Sequence, residues 1–476
     1  MKDIKYSTKI GFFDKLSYGI GNLGFGVAMQ CLASFLMFYS TVILGVPGRY
    51  VGFIVALSVF WDAVTDPVIG YLSDNTKFKR GRRHFYLFWG TITIAFFNYF
   101  MWTINPSYSM EIKVVFLFLL IFVLKTVMTV YGTPYTALGA ELSYDYDTRT
   151  AIQGYRIFFF LMGLAFPTVV GITWFFRSTY EFPIGQMNPV GYELMGITIS
   201  IIVLVSGFIC YFVTKKYIPN LPKAKSEMEK SKNILKDIFI MFSEALKNRY
   251  FSKIFWGYLF VNICAALIGT LGLHVFTYTF IMDNNQIGIV MGIFFLMSLL
   301  SQPFWTKYSA KNDKQPSMEK SILISLIGCI FLTGLVIFKH IVRTHFWLLI
   351  PILGVVGFGA GGLFLFPPAM VGDVIDVEEY ETGKRSEGIY FGTMTFGYKA
   401  SQAIAIFLVG ISLDVIGFNA EIEIQSYYTS LMLGLILCIG SIIVLIIALF
   451  IYRKYTLNKD KVLNIQSEII DTEIVN

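Results

Sequence analysis

Tyr50-Val-Gly-Phe-Ile-Val-Ala-Leu-Ser-Val-Phe-Trp61-Asp62-Ala63-Val64-Thr65-Asp66-Pro67-Val-Ile-Gly-Tyr-Leu72 is apolar over a length that crosses a bilayer as a helix, yet it holds two carboxylates. A carboxylate at membrane depth costs about 3 kcal/mol or more unless it is paired, hydrated or bound to a cation. At i and i+4, Asp62 and Asp66 share one helix face. Side by side in low dielectric they make an oxygen-rich site for a small cation, Na⁺ or H⁺. The alternative is a structural pair held by a buried Lys or Arg from elsewhere in the chain.

The rest of the chain supplies the membrane. Hydrophobic residues make up 55% of the 476 and charged residues 14%, with a mean hydropathy of +0.64. A soluble domain is about one quarter charged. Twelve apolar runs of spanning length are expected, over 19–45, 50–72, 85–104, 112–139, 152–176, 191–214, 252–280, 286–306, 320–339, 346–372, 388–416 and 425–452. Helices follow, because lipid offers no partner for a backbone group. The first run is too long for a signal peptide, and Met1 to Lys15 is polar and basic. With the N-terminus in the cytoplasm, 30 of the 38 Lys and Arg fall on the inside, 5 outside and 3 within spans. That split predicts both termini in the cytoplasm of a cell (inner) membrane, and it leaves the basic runs without need of a nucleic-acid partner. The five cysteines lack metal-ligand spacing and read as reduced packing residues.

A polar, basic connection divides the chain into six spans and six spans. The expected organisation is an all-α membrane protein with a six-helix bundle over 1–214, a cytoplasmic loop over 215–250, a second six-helix bundle over 251–455 and a cytoplasmic tail over 456–476. A weak internal echo supports duplication. Pro134 to Glu141, with Arg149 beyond, resembles Pro367 to Asp373, with Arg385 beyond; each reads as a proline-broken helix end, an acid and a basic turn.

Three basic residues lie within spans: Lys125, Arg156 and Lys399. At 1.5 Å per residue, Asp62 lies about 15 Å from the cytoplasmic end of its span and Asp66 about 9 Å. Lys399 lies about 16 Å in and Lys125 about 21 Å in, while Arg156 is shallow. Two acids and two lysines are therefore expected to converge near mid-membrane and to neutralise one another. The Gly-rich run Gly354 to Gly362 falls inside span ten and reads as close helix packing.

The chain also resembles a known family, the glycoside-pentoside-hexuronide:cation symporters, the melibiose-carrier-like branch of the major facilitator superfamily. The resemblance rests on Lys15-Leu-Ser-Tyr-Gly-Ile-Gly21, on Trp61 to Pro67, on Gly70-Tyr-Leu-Ser-Asp74, on Pro134-Tyr135, Tyr155-Arg156 and Gly372-Asp373, on Gly383-Lys384-Arg385-Ser-Glu387-Gly388-Ile-Tyr390-Phe391-Gly392, and on Lys399. It implies the major facilitator fold and a monomeric symporter working by alternating access. It implies that Asp62 and Asp66 hold the coupling cation, with Thr65 and Thr129 as oxygen ligands or neighbours. Lys399 would respond to occupancy of that site, and Arg156 would line the cavity or tie the gate. Asp74, Arg83, Glu141, Arg149, Asp373 and Arg385 would build a cytoplasmic gate by charge pairs between the halves.

Two departures from the pattern bear on the substrate and the ion. Where melibiose-type members place sugar-gripping acids, this chain has Gly26 and Gly132. Lys125 falls near the expected cation site, where its ammonium would pair with Asp62, weaken Na⁺ binding and favour H⁺ coupling or uncoupled transport. The expected function is cation-coupled symport of a small polar solute, a sugar or sugar derivative; lysophospholipid transport on the same fold is the alternative. No cofactor is expected beyond the coupling ion. Nor is an enzyme expected, since His84, His274, His340 and His345 are scattered and form no nucleophile-base or metal constellation.

Overall fold

The computed structural model describes residues 10–78, 81–142, 146–221, 242–382, 387–420, 422 and 424–465. The chain divides into two compact units, Met1–Ile234 and Leu235–Asn476. The first carries α1 (Phe12–Phe38), α2 (Gly48–Asn75), α3 (Arg82–Met101), α4 (Met110–Glu141), α5 (Tyr146–Phe166) and α6 (Pro189–Thr214). The second carries α7 (Arg249–His274), α8 (Asn284–Asn312), α9 (Lys314–Ile337), α10 (Leu349–Thr382), α11 (Glu387–Val415) and α12 (Tyr427–Arg453). Among the described residues, eleven helices are long and apolar enough to cross a membrane. The remaining long helix, α3, stands where the third span is expected. It opens on Arg82-Arg83-His84 and carries Asn98, which lowers its hydropathy below that of the others.

Helix-breaking was the wrong expectation for the prolines. Pro134 lies inside α4, and Pro367 and Pro368 lie inside α10. A proline in a spanning helix is tolerated where neighbouring helices re-satisfy the local backbone. Beside Pro134, α1 is held against α4: the Tyr18 hydroxyl donates to the Tyr135 carbonyl at 3.0 Å, and the Tyr135 hydroxyl donates to the Tyr18 carbonyl at 2.7 Å, while the carbonyl that the proline itself frees is that of Val130.

Each unit repeats the same backbone devices. The helices α1 and α7 both widen into a π-helical turn, over Tyr39–Ile43 and Val275–Thr279. In the first unit the Leu44 amide donates to Tyr39 and the Val46 amide to Ser40; in the second, Phe280 donates to Val275 and Met282 to Phe276. Between the two donors lies one residue at positive φ, Gly45 at 68° and Ile281 at 54°. A basic side chain then takes a freed carbonyl: Lys113 Nζ donates to Leu44, and Arg343 Nε donates to Thr279. Two further positive-φ residues, Gly81 at 89° and Asp313 at 73°, immediately precede α3 and α9. These shared details make the 6+6 echo a structural repeat.

Past α12 the chain does not simply trail away. The Lys459 amide donates to Asp313 Oδ2 at 2.8 Å, Lys461 Nζ donates to the Tyr250 hydroxyl, and Val462 and Ile465 are buried. The start of the expected tail thus packs on the second unit. All five cysteines are buried and free.

A β-branched residue in the left-handed region costs about 1–2 kcal/mol. Gly45 is exposed, and a Cβ there would meet no atom within 4 Å. We expect Gly45→Ile to lower stability by about that amount through backbone strain alone. Ile281→Gly relieves the same strain and should be neutral or stabilising despite the loss of an apolar side chain. Thermal unfolding of the two variants in detergent checks both signs.

Candidate functional site

The seam between α2 and α4 holds the site. Asp62, Asp66 and Gly70 recur every fourth residue on α2, and Lys125, Thr129 and Thr133 do so on α4, so each set lines one face. Lys125 Nζ lies 3.1 Å from Asp62 Oδ2, and Thr129 Oγ1 donates to Asp66 Oδ1 at 2.7 Å. Both pairs span 63 residues of sequence, so the two helices run parallel here and their polar rows are in register. A turn lower, a Cβ on Gly70 would meet the Thr133 methyl at 3.7 Å. Beside the seam, Trp61 Nε1 donates to Thr126 Oγ1 at 2.8 Å.

Burial makes this cluster costly to leave incomplete. Asp62 is 3% exposed, Thr65 and Thr129 are buried, and Asp66 is half-buried. The Thr65 hydroxyl lies 3.5 Å from the Asp62 carbonyl of its own helix, which directs its lone pairs away from that carbonyl. Oxygens from Asp62, Asp66, Thr65 and Thr129 are the hard ligands a small monovalent cation takes. The ammonium on Asp62 is a like charge within the same cluster.

The repeat supplies an internal control. In the second unit, α8 and α10 cross at the same sequence separation, and the facing residues are Phe294 with Gly357 and Ser298 with Gly361. A Cβ on Gly357 would strike the Phe294 carbonyl, and one on Gly361 would lie 2.5 Å from the Ser298 carbonyl. Glycine and backbone contact thus serve where the first unit places two acids, a lysine and a threonine. The fold does not require charge at this crossing.

The other two basic residues lie on α5 and α11. Arg156 Nη1 donates to Thr136 Oγ1 at 3.1 Å, and its carbonyl accepts from Asn22 Nδ2, which ties α5 to α4 and α1. Lys399 is half-buried on α11 in the second unit. Of the charges expected to converge, the first unit brings together Asp62, Asp66 and Lys125.

At the far end of α4, Glu141 Oε1 accepts from Arg82 Nη2 at 2.7 Å and from Arg83 Nη2 at 2.8 Å. Arg83 also donates to Ser73 Oγ. The second unit matches it: Lys314 Nζ lies 2.6 Å from Asp373 Oδ1. Arg82 to Glu141 and Lys314 to Asp373 both span 59 residues. Each of these pairs joins residues of one unit, whereas the expectation was of pairs between the halves. A salt bridge from the first turn of one helix to the last turns of another clamps helices within a bundle. The side chains of Asp74 and Arg149, and Arg385 entire, lie outside the described residues. Sequence reading missed Arg82, Ser73 and Lys314; the 59-residue spacing of a base after a turn and an acid after a proline was the available signal.

At both expected sugar positions a Cβ would crowd a neighbour, backbone at Gly26 and a ring at Gly132. A Cβ on Gly26 would lie 2.8 Å from the Phe160 carbonyl and 3.3 Å from Gly163 Cα, so α1 and α5 touch there through backbone. A Cβ on Gly132 would meet the Phe25 ring at 3.1 Å, and that ring stacks on Tyr131 at 6.3 Å between centroids.

Residues 17–459 match the family model described as MFS/sugar transport protein. The chain belongs to that family. Among its relatives is YagG of Escherichia coli (strain K12), provisionally named a glycoside/cation symporter, 25% identical with 97% of this chain and 96% of that protein aligned. A sodium-dependent lysophosphatidylcholine symporter 1 of Xenopus tropicalis is 23% identical, with 95% and 89% aligned. Among solved structures, a D-xylose-proton symporter has a TM-score of 0.62 at 15% identity, with 94% of this chain and 98% of that one covered, which shows the shared fold. The apolar runs gave the spanning helices and the resemblance implied the family's transporter fold; the chain is an integral membrane protein.

The Gly132 geometry predicts a paired outcome. Gly132→Asp should lower the unfolding midpoint, because the carboxylate displaces the Phe25 ring, while Phe25→Ala with Gly132→Asp should recover most of the loss. Equal destabilisation by the single and double variants would contradict this packing.

Proposed function

We propose that this protein is a secondary active transporter that couples a cation, Na⁺ or H⁺, to symport of a small polar solute, a sugar or sugar derivative, by alternating access. The observation that carries the reading is the seam of Asp62, Asp66, Lys125 and Thr129, which has a neutral, glycine-packed counterpart in the second half. A charge that the scaffold does not need at membrane depth is retained for work on an ion. The family membership and the symporter relatives support the same class.

In this reading the travelling cation binds at the carboxylates, with the hydroxyls of Thr129 and Thr65 completing its oxygen shell. Binding relieves the repulsion between Asp62 and Asp66 and favours the state that takes solute. The ion gradient then drives the cycle, with about 2.3 kcal/mol per charge per 100 mV from the potential. Lys399 and Arg156 contribute positive charge on the solute pathway, and Asp74, Arg83, Glu141, Arg149, Asp373 and Arg385 act at the cytoplasmic gate. We place both termini in the cytoplasm of the inner membrane, from the distribution of Lys and Arg, and take the monomer as the working unit.

A second reading has one specific observation behind it. Gly26 and Gly132 offer no carboxylate to grip a sugar, and Phe160 and Phe25 lie against them. A lysolipid needs no such grip, and a lysophosphatidylcholine symporter is among the relatives.

Asp66→Asn should abolish concentrative uptake in proteoliposomes while the protein stays folded. Loss of the hydroxyl in Thr129→Val should raise the cation concentration for half-maximal uptake about tenfold. Normal accumulation by Asp66→Asn would refute the cation-site assignment. To separate the two readings, thermal stability is measured with glycosides, hexuronides and lysophosphatidylcholine, each with and without Na⁺ and at two pH values. A cation-dependent shift with a sugar supports the first reading; a shift with lysolipid alone moves the assignment to the second.

A further inference from the structure

We propose that Lys125 is a built-in cation that keeps sodium off the Asp62 carboxylate and thereby sets the ion specificity of the site. This rests on the symport reading above, and it concerns the one residue of the seam that a sodium site would not contain.

The geometry leads to it directly. Lys125 Nζ is 3.1 Å from Asp62 Oδ2, with the Asp62 side chain 4% exposed and that of Lys125 22% exposed. An ammonium donates three hydrogen bonds and accepts none, so it cannot be a ligand of a metal cation. Any sodium ion bridging Asp62 and Asp66 would lie within about 6 Å of it, since i and i+4 side chains are neighbours. Like charges at that distance, beside the buried Asp62, repel strongly enough to weaken binding about tenfold or more.

A purely structural ion pair would have the same coordinates and different consequences. The second half shows that helices can cross here with Phe294, Ser298, Gly357 and Gly361 and no charge, so packing alone does not call for the pair. Removing one partner of a structural pair lowers stability in every salt alike. Removing a tethered cation creates a vacancy that sodium can fill.

The experiment is a sodium titration of thermal stability on the purified full-length protein, with choline chloride holding the ionic strength constant. It compares wild type, Lys125→Met, Lys125→Arg and the double variant Asp62→Asn with Lys125→Met. The expected result is that half-maximal stabilisation of Lys125→Met needs about tenfold less sodium, or lower still, than wild type. Lys125→Arg, which keeps the charge, and the double variant, which removes both charges, should respond like wild type. If Lys125→Met is recovered folded from sodium but not from choline, sodium is replacing the ammonium and the proposal stands. Three results would overturn it: the same sodium dependence in wild type and Lys125→Met, wild type already saturating at the lower concentration, or Lys125→Met lost in both salts while the double variant folds. The readout needs no solute. A wild type that accumulates nothing would therefore sink the symport reading and leave the sodium titration to decide on Lys125.

Discussion

A carboxylate inside a spanning helix must be neutralised by whatever lies within one side chain's reach, and that constraint organises the first half of this protein. Asp62 is buried and meets Lys125; Asp66, one turn on, meets Thr129. The partners are drawn from one helix in the same register, so α2 and α4 must run parallel with their four-residue rows aligned. Breaking one member of such a pair strands a charge in low dielectric, which is far more expensive than losing a surface ion pair. The same cost makes the cluster a sensitive place for an ion to act, because each change of charge there shifts the energy of the whole seam.

The two halves answer the same packing problem with different chemistry. Both close their first helix with a π-helical turn and a positive-φ residue, and both join a base at the start of the third helix to an acid near the end of the fourth. At the crossing of the second and fourth helices they diverge, to charge and hydroxyls in one half and to glycine against backbone in the other. The scaffold details recur in both units; the charged seam belongs to the first. The ion chemistry proposed here is therefore a property of four side chains, separable from the fold that holds them.

Much of this was legible in the residues. Spanning helices follow from apolar length, because lipid leaves the backbone no other choice, and the carboxylates stand out against that background. Depth along a helix brought Lys125 to the level of the acids, and the departure from the family pattern suggested its pairing with Asp62. Depth gives height only, however, and does not say which faces of two helices meet. The prolines misled because a helix packed by its neighbours can run on through them, and the Tyr18 to Tyr135 exchange that holds α1 against α4 beside Pro134 is a tertiary fact. Arg82 and Lys314 were read only as positive-inside charge, since nothing local says which acid a base will reach 59 residues later. The filling of the Gly132 site by Phe25 likewise comes from a different helix.

The central claim is that the carboxylate seam moves a cation together with the solute. The most direct test is the transient current across proteoliposomes at zero imposed potential when the solute identified by stability screening is added. The account predicts a current in wild type that grows with the coupling cation, and none in Asp66→Asn even though that variant still binds the solute. A current of equal size in the variant, or a wild-type current that ignores every cation supplied, would contradict it.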